Sequence, residues 1–133
     1  MSNDGKQILV AEDNPALSQV ICFNLEQAGY QVTTAENGRE AWELLNSQCY
    51  DLVVTDHQMP EMTGWDLCAQ MRKAAAHAQT PVIFLTAKRL ELDVAQLKRE
   101  LGVVAVFAKP FSPSELVCAV KDCLASAAEP SHN

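Results

Sequence analysis

Five short, largely apolar and β-branched runs recur along the chain, at residues 8–11 (ILVA), 32–35 (VTTA), 52–55 (LVVT), 82–85 (VIFL) and 103–108 (VVAVFA), with helical patterns between them. Strands that alternate with helices make a parallel sheet covered on both faces, because each parallel connection needs a crossover and the helix supplies it. The predicted order is (βα)5. The helices are marked by their starts and stops. Asn14-Pro15 puts a capping side chain before a proline, and Leu17, Ile21, Leu25 and Ala28 form one stripe that stops at Gly29. Asn37 with Glu40 opens a second helix to about Ser47, and Thr63 with Asp66 a third to about Ala75. A fourth is predicted from about Glu91 to Leu101, with Leu90, Val94, Leu97 and Leu101 on one face and Gly102 as its stop. Ser112-Pro113-Ser114-Glu115 is the clearest start signal, leading Leu116, Val120 and Leu124 into the core.

In an open parallel sheet, ligands bind outside the carboxyl ends of the strands. Strand one ends in Glu12-Asp13, strand three in Asp56, strand four in Thr86 and strand five in Lys109. With strand order 2-1-3-4-5, all five residues converge on one crevice. Three carboxylates there disfavour one another's ionised forms, and an arriving phosphoryl group adds more negative charge, so a cation must neutralise the site. Lys109 is one candidate. A divalent ion on hard oxygen ligands is the other, and few protein ligands with water and phosphate oxygens as the remainder suit Mg2+ better than zinc. A carboxylate oxygen attacks phosphorus to give an acyl phosphate, and Asp56, alone on the middle strand, is the natural nucleophile while Glu12 and Asp13 hold metal. Thr86 can donate a hydrogen bond to the new phosphoryl group, drawing the following loop inward.

These residues resemble the receiver domains of two-component response regulators, which share the flavodoxin-like fold, a doubly wound (βα)5 sandwich on a five-stranded parallel sheet of order 2-1-3-4-5. The matching motifs are Val10-Ala11-Glu12-Asp13-Asn14, Asp56-His57-Gln58-Met59-Pro60 with Thr63-Gly64, Phe84-Leu85-Thr86-Ala87 and Lys109-Pro110-Phe111. Four motifs in order, each at a strand end, make a specific signal. The motifs span about residues 7–125, which puts the expected receiver at residues 1–125, and the small, polar stretch 126–133 reads as a short tail. It implies that Asp56 accepts a phosphoryl group from the phosphohistidine of a histidine kinase or histidine phosphotransfer protein. Asp13 and Asp56 would ligate Mg2+ directly, Glu12 would assist through water, and the backbone carbonyl of Gln58 would add a ligand. Lys109 would pair with phosphoryl oxygens, Thr86 would be the switch hydroxyl, and the Lys109-Pro110 bond would be cis. Output would leave by the face of the fourth helix, fifth strand and fifth helix toward a downstream protein. Side chains two positions after the acceptor and two after the threonine, Gln58 and Lys88, would tune the phosphoryl lifetime.

One position departs from the family. Where it often has Tyr or Phe three residues before the lysine, this chain has Val106, with Phe107 next. One step along a strand reverses side-chain direction, so passive packing of Val106 is the expectation.

Other features are bland. His57 is expected to point away from the reaction, and Trp42 and Trp65 to pack rather than bind. The five cysteines have no CxxC or Cys/His spacing and read as reduced thiols in core or helix positions. A formal charge of −7 repels nucleic acid and anionic lipid, so no direct DNA binding is expected. No apolar run approaches the ~18 residues of a membrane helix, which predicts a cytoplasmic protein without membrane association. At 133 residues the chain has room for one domain, with output in a partner. A haloacid-dehalogenase-like phosphatase also uses an aspartyl nucleophile and magnesium, but wants a second acid where Gln58 stands. The expectation is therefore not an enzyme on external substrates. A pseudo-receiver that kept the fold and lost switching is disfavoured by the full set of chemical residues.

Overall fold

A computed structural model describes residues 5–87 and 93–128. The elements are β1 (Gln7–Ala11), α1 (Pro15–Gln27), β2 (Gln31–Ala35), α2 (Gly38–Ser47), β3 (Leu52–Asp56), α3 (Gly64–Lys73), a single 3-10 turn (Ala75–His77), β4 (Val82–Thr86), α4 (Val94–Leu101), β5 (Val103–Ala108) and α5 (Pro113–Ala128). The five strands form one parallel sheet of order β2-β1-β3-β4-β5. The flavodoxin-like architecture expected from the sequence is the one adopted.

Alternation along the strands divides the core between the two faces of the sheet. Ile8, Val10, Leu52, Val54, Ile83 and Leu85 pack under α1 and α5, against Ile21, Leu25, Leu116, Val120 and Leu124. Leu9, Ala11, Val53, Phe84 and Val103 face α2, α3 and α4, against Ala41, Leu45, Leu67, Met71, Leu97 and Leu101. Trp42 and Trp65 pack on that second cluster, as expected.

The caps form as read. Asn14 Oδ1 accepts from the Leu17 N–H (3.1 Å), Asn37 Oδ1 from Glu40 (2.8 Å) and the Thr63 hydroxyl oxygen from Asp66 (3.1 Å). The fifth start is the weakest of these bonds despite its clear signature: the Glu115 N–H reaches Ser112 Oγ at 3.4 Å, while that hydroxyl bonds Ser114 Oγ at 2.9 Å.

Several boundaries differ from expectation. The predicted start of the fourth helix, at Leu90 and Glu91, lies outside the described residues, as does Lys88. The described helix begins at Val94 behind Asp93, whose Oδ1 accepts from the Gln96 N–H at 2.9 Å. Helix α3 stops at Lys73, because Ala74 takes an extended conformation before the 3-10 turn. Helix α5 runs to Ala128, into the stretch read as tail, and residues 129–133 lie outside the described residues. Cys68 is in the core and Cys118 lies exposed on a helix, α5, as read, but Cys49 is exposed in the loop after α2; all five thiols are free. Among the described residues no helix is long and apolar enough to cross a membrane.

Candidate acidic site at the carboxyl edge of the sheet

β1 and β3 lie side by side with Ala11 level with Thr55, so Glu12-Asp13 and Asp56 leave the sheet together. One oxygen each from Glu12, Asp13 and Asp56 lie within 4.8 Å of one another. Glu12 and Asp56 are buried, at 2% and 5% exposure, while Asp13 faces solvent. Burial of an acid without a partner is costly, and here the partner is Lys109. Its ammonium donates to Asp56 Oδ2 at 2.9 Å and stands 3.0 Å from Glu12 Oε1. The two contacts are not equivalent: the approach to Glu12 is off-line, and Oε1 remains a buried oxygen without a hydrogen bond. The other oxygen of Glu12, Oε2, accepts from the Asn14 N–H at 3.0 Å. One cation among three carboxylates leaves the cluster net negative.

That imbalance shows in the titration behaviour. Burial pushes the Glu12 carboxyl above the usual range, outweighing the Asn14 N–H and Lys109, with the Asp56 charge adding to the rise. Burial pulls the Lys109 ammonium down, but its hydrogen bond to Asp56, its close contact with Glu12 and the charges of both acids more than offset this and hold it above the usual lysine range.

Thr86 ends β4 beside this group, 1% exposed, and its carbonyl accepts from the Lys109 N–H at 2.8 Å. The Lys109-Pro110 peptide is cis. Gln58 is exposed, two residues past Asp56 in the β3–α3 loop. His57 turns its ring onto Phe84, with centroids 5.8 Å apart, on the sheet face that carries α3 and α4. An open cleft of about 260 Å³ adjoins the acids, lined by Glu12, Asp13, Ser18, Thr34 and Glu36 among others. Glu36 was not anticipated as part of it, although it stands just past the end of β2 and the strand-end rule points there as well.

β5 carries an irregularity that the apolar run conceals. Val82 pairs with Val103 but Ile83 pairs with Ala105, so Val104 is an extra residue, turned outward and 43% exposed. The bulge reverses the alternation beyond it. Val106, level with Phe84, therefore packs on the α4 side, the face shared by Phe84 and Thr86, while Phe107 packs against Phe111 on the α1 and α5 side with ring centroids 6.1 Å apart. Phe107 does not take the place of the aromatic residue absent at 106.

The sequence pattern described as "Response regulator receiver domain" matches residues 8–121. The chain belongs to this receiver family. Among curated relatives, it is 38% identical over 119 residues to the alkaline phosphatase synthesis transcriptional regulatory protein PhoP of Bacillus subtilis, covering 90% of this chain and 48% of that protein. It is 36% identical over 118 residues to the probable transcriptional regulator ycf29 of Porphyra purpurea, covering 88% and 56%. The chain thus spans about half the length of the curated relatives it matches. Among solved structures, a Francisella response regulator 1452 receiver domain superposes with a TM-score of 0.81 at 32% identity, covering 92% of this chain and 99% of that one. The receiver domain of the sensor histidine kinase PA1611 of Pseudomonas aeruginosa superposes with a TM-score of 0.82 at 30% identity, covering 91% and 98%. That structure holds a magnesium ion in its active-site cleft. The present receiver offers the same kind of setting: an all-oxygen donor set, excess negative charge and one buried carboxylate oxygen, Glu12 Oε1, still lacking a hydrogen bond. These residues fit a hard divalent cation.

Proposed function

We propose that this receiver is a phosphoacceptor switch that takes a phosphoryl group onto Asp56 from a phosphohistidine in a histidine kinase or histidine phosphotransfer protein. The observation that carries the reading is the pairing of buried Asp56 with Lys109 at 2.9 Å inside an under-neutralised carboxylate cluster. A carboxylate oxygen of Asp56 attacks phosphorus, the P–N bond to the donor imidazole breaks as the P–O bond forms, and the imidazole leaves with its electron pair and takes up a proton. Lys109 shifts from neutralising the carboxylate to neutralising phosphoryl oxygens. Bound Mg2+ would supply charge neutralisation and orientation of the phosphoryl oxygens, held by Asp13, Asp56 and the Gln58 carbonyl, with Glu12 through water. The Thr86 hydroxyl donates to the arriving group.

Output passes through the α4, β5 and α5 face to a protein partner, with Val106 packing passively beneath it. The chain turns over no separate substrate and binds no DNA itself, consistent with its −7 charge. It acts in the cytoplasm. Incubation with a small-molecule phosphodonor and Mg2+, followed by intact-mass measurement under conditions that preserve acyl phosphates, tests this. The expected result is a gain of one phosphoryl group that disappears with chelator and in Asp56→Asn. An adduct that persists in Asp56→Asn, or none in the wild type, overturns the reading.

A further inference from the structure

The loop between β3 and α3 is closed at its base and held at its tip. At the base, the Gly64 N–H donates to the His57 carbonyl at 2.8 Å, and a Cβ at Gly64 would stand 2.5 Å from the Asp56 carbonyl oxygen. At the tip, the Met62 N–H donates to the Pro60 carbonyl at 2.8 Å, across Glu61, whose φ is 72°. This is a γ-turn with a left-handed, non-glycine centre, a conformation that persists only where its surroundings hold it.

The surroundings are the first turn of α2. Gly38 is buried against Met62: a Cβ there would stand 2.7 Å from Met62 Cβ and 2.8 Å from its carbonyl carbon, and would run into its carbonyl oxygen. The next residue, Arg39, reaches Glu61 at 3.7 Å while also pairing with Glu43 at 3.3 Å. Both pairs are exposed and weak, so the close backbone approach at Gly38 is the stronger hold. The α2 start is itself fixed, by the Asn37 cap and by the Glu36 N–H donating to Glu40 Oε1 at 2.7 Å.

We propose that Gly38 is a positioning residue for the acid site: by letting α2 seat against Met62, it holds the Pro60-Glu61-Met62 turn and so aims the Gln58 carbonyl at the ion. This rests on the phosphoacceptor reading above. Gly38→Ala tests it in the full chain, with Glu61→Val as a second variant that strains the turn from within, leaves the Gly38–Met62 approach as it is and removes only the weak, exposed pair to Arg39.

Two readouts are taken: the Mg2+ dissociation constant from tryptophan fluorescence, and hydrogen exchange at the Met62 and Gly64 amides without metal. In both variants the Mg2+ dissociation constant is expected to rise about tenfold. Exchange at the two amides speeds up while core amides such as Val10 keep their protection. A folded Gly38→Ala protein with Mg2+ affinity within about twofold of wild type would reduce Gly38 to a packing role and overturn the proposal. If the wild type itself binds no Mg2+, the phosphoacceptor reading fails, and exchange decides the clamp: faster at Met62 and Gly64 in both variants upholds it, unchanged overturns it.

Discussion

Lys109→Met is expected to lose roughly 2–3 kcal/mol of stability at neutral pH, somewhat less than a fully buried broken pair because the lysine keeps 22% of its side chain in water. The loss comes from what remains: Glu12 and Asp56, both buried, face each other without their counter-charge. Uptake of phosphoryl groups from a small donor should fall roughly 100-fold, as when one fixed charge-stabilising donor is removed from a transition state. The pH dependence carries a sign that checks the cause. In the wild type the folded-state lysine is held above its ordinary value of 10.5, so its stabilisation is complete below that pH and is lost as pH rises through the folded value. The Glu12 carboxyl is raised above 4.5, so the folded state binds its proton more readily than the unfolded chain does. Stability of the variant should therefore recover as pH falls toward that window from neutrality, which melting curves across pH measure. A variant that melts like the wild type at neutral pH would show that the pair does not hold the site together.

The second large effect lies at the opposite end of the sheet. Arg72, near the end of α3, sends Nε to the Leu101 carbonyl at 2.7 Å and Nη1 to the carbonyls of His77, Ala78 and Thr80 at 3.2, 3.3 and 2.7 Å. One guanidinium thus joins the end of α4, the 3-10 turn and the entry to β4. Arg72→Leu removes the charged donor and leaves these part-buried carbonyls short of partners, at about 3 kcal/mol in total. For a chain of this size that is a fall of about 10 °C in melting temperature. Mg2+ affinity and phosphoryl uptake at room temperature should stay at wild-type values, because Arg72 contacts the amino end of the strands and the acids sit at the carboxyl end. Coupled loss of Mg2+ binding would contradict that separation.

The contrast between Lys109 and Arg72 shows what the sequence makes legible. Lys109 stands at a strand end and is followed by proline, so its place in the crevice follows from the strand-end rule. Arg72 reads as an ordinary basic residue in the last turn of a helix, because its partners are backbone carbonyls, which have no sequence signature. The same reason hides Gly38: what it avoids is the Met62 backbone, placed there by tertiary packing, whereas Gly64 is marked by its motif although its close approach to the Asp56 carbonyl is not. Strand register is hidden as well. The run 103–108 is apolar on every residue, so nothing in it marks Val104 as the extra one, and only pairing with β4 fixes which face Val106 takes. Local signals carried further, since Asn14, Asn37 and Thr63 cap the helices they announce. The end of α3 is missed for a tertiary reason: Ala74 and Ala75 suit a helix, but Ala74 is extended and the carbonyls that follow, of His77, Ala78 and Thr80, meet Arg72 on the way into β4.

The proposed switch depends on the identity of one nucleophilic oxygen. After phosphorylation with a small donor and Mg2+, borohydride reduces an acyl phosphate to an alcohol and converts the acceptor aspartate to homoserine, which peptide mass spectrometry locates. The expected result is homoserine at position 56 alone, with Asp13 unmodified. Homoserine at position 13, or reduction nowhere in a chain that has gained a phosphoryl group, would contradict the assignment of Asp56 and the roles built around it.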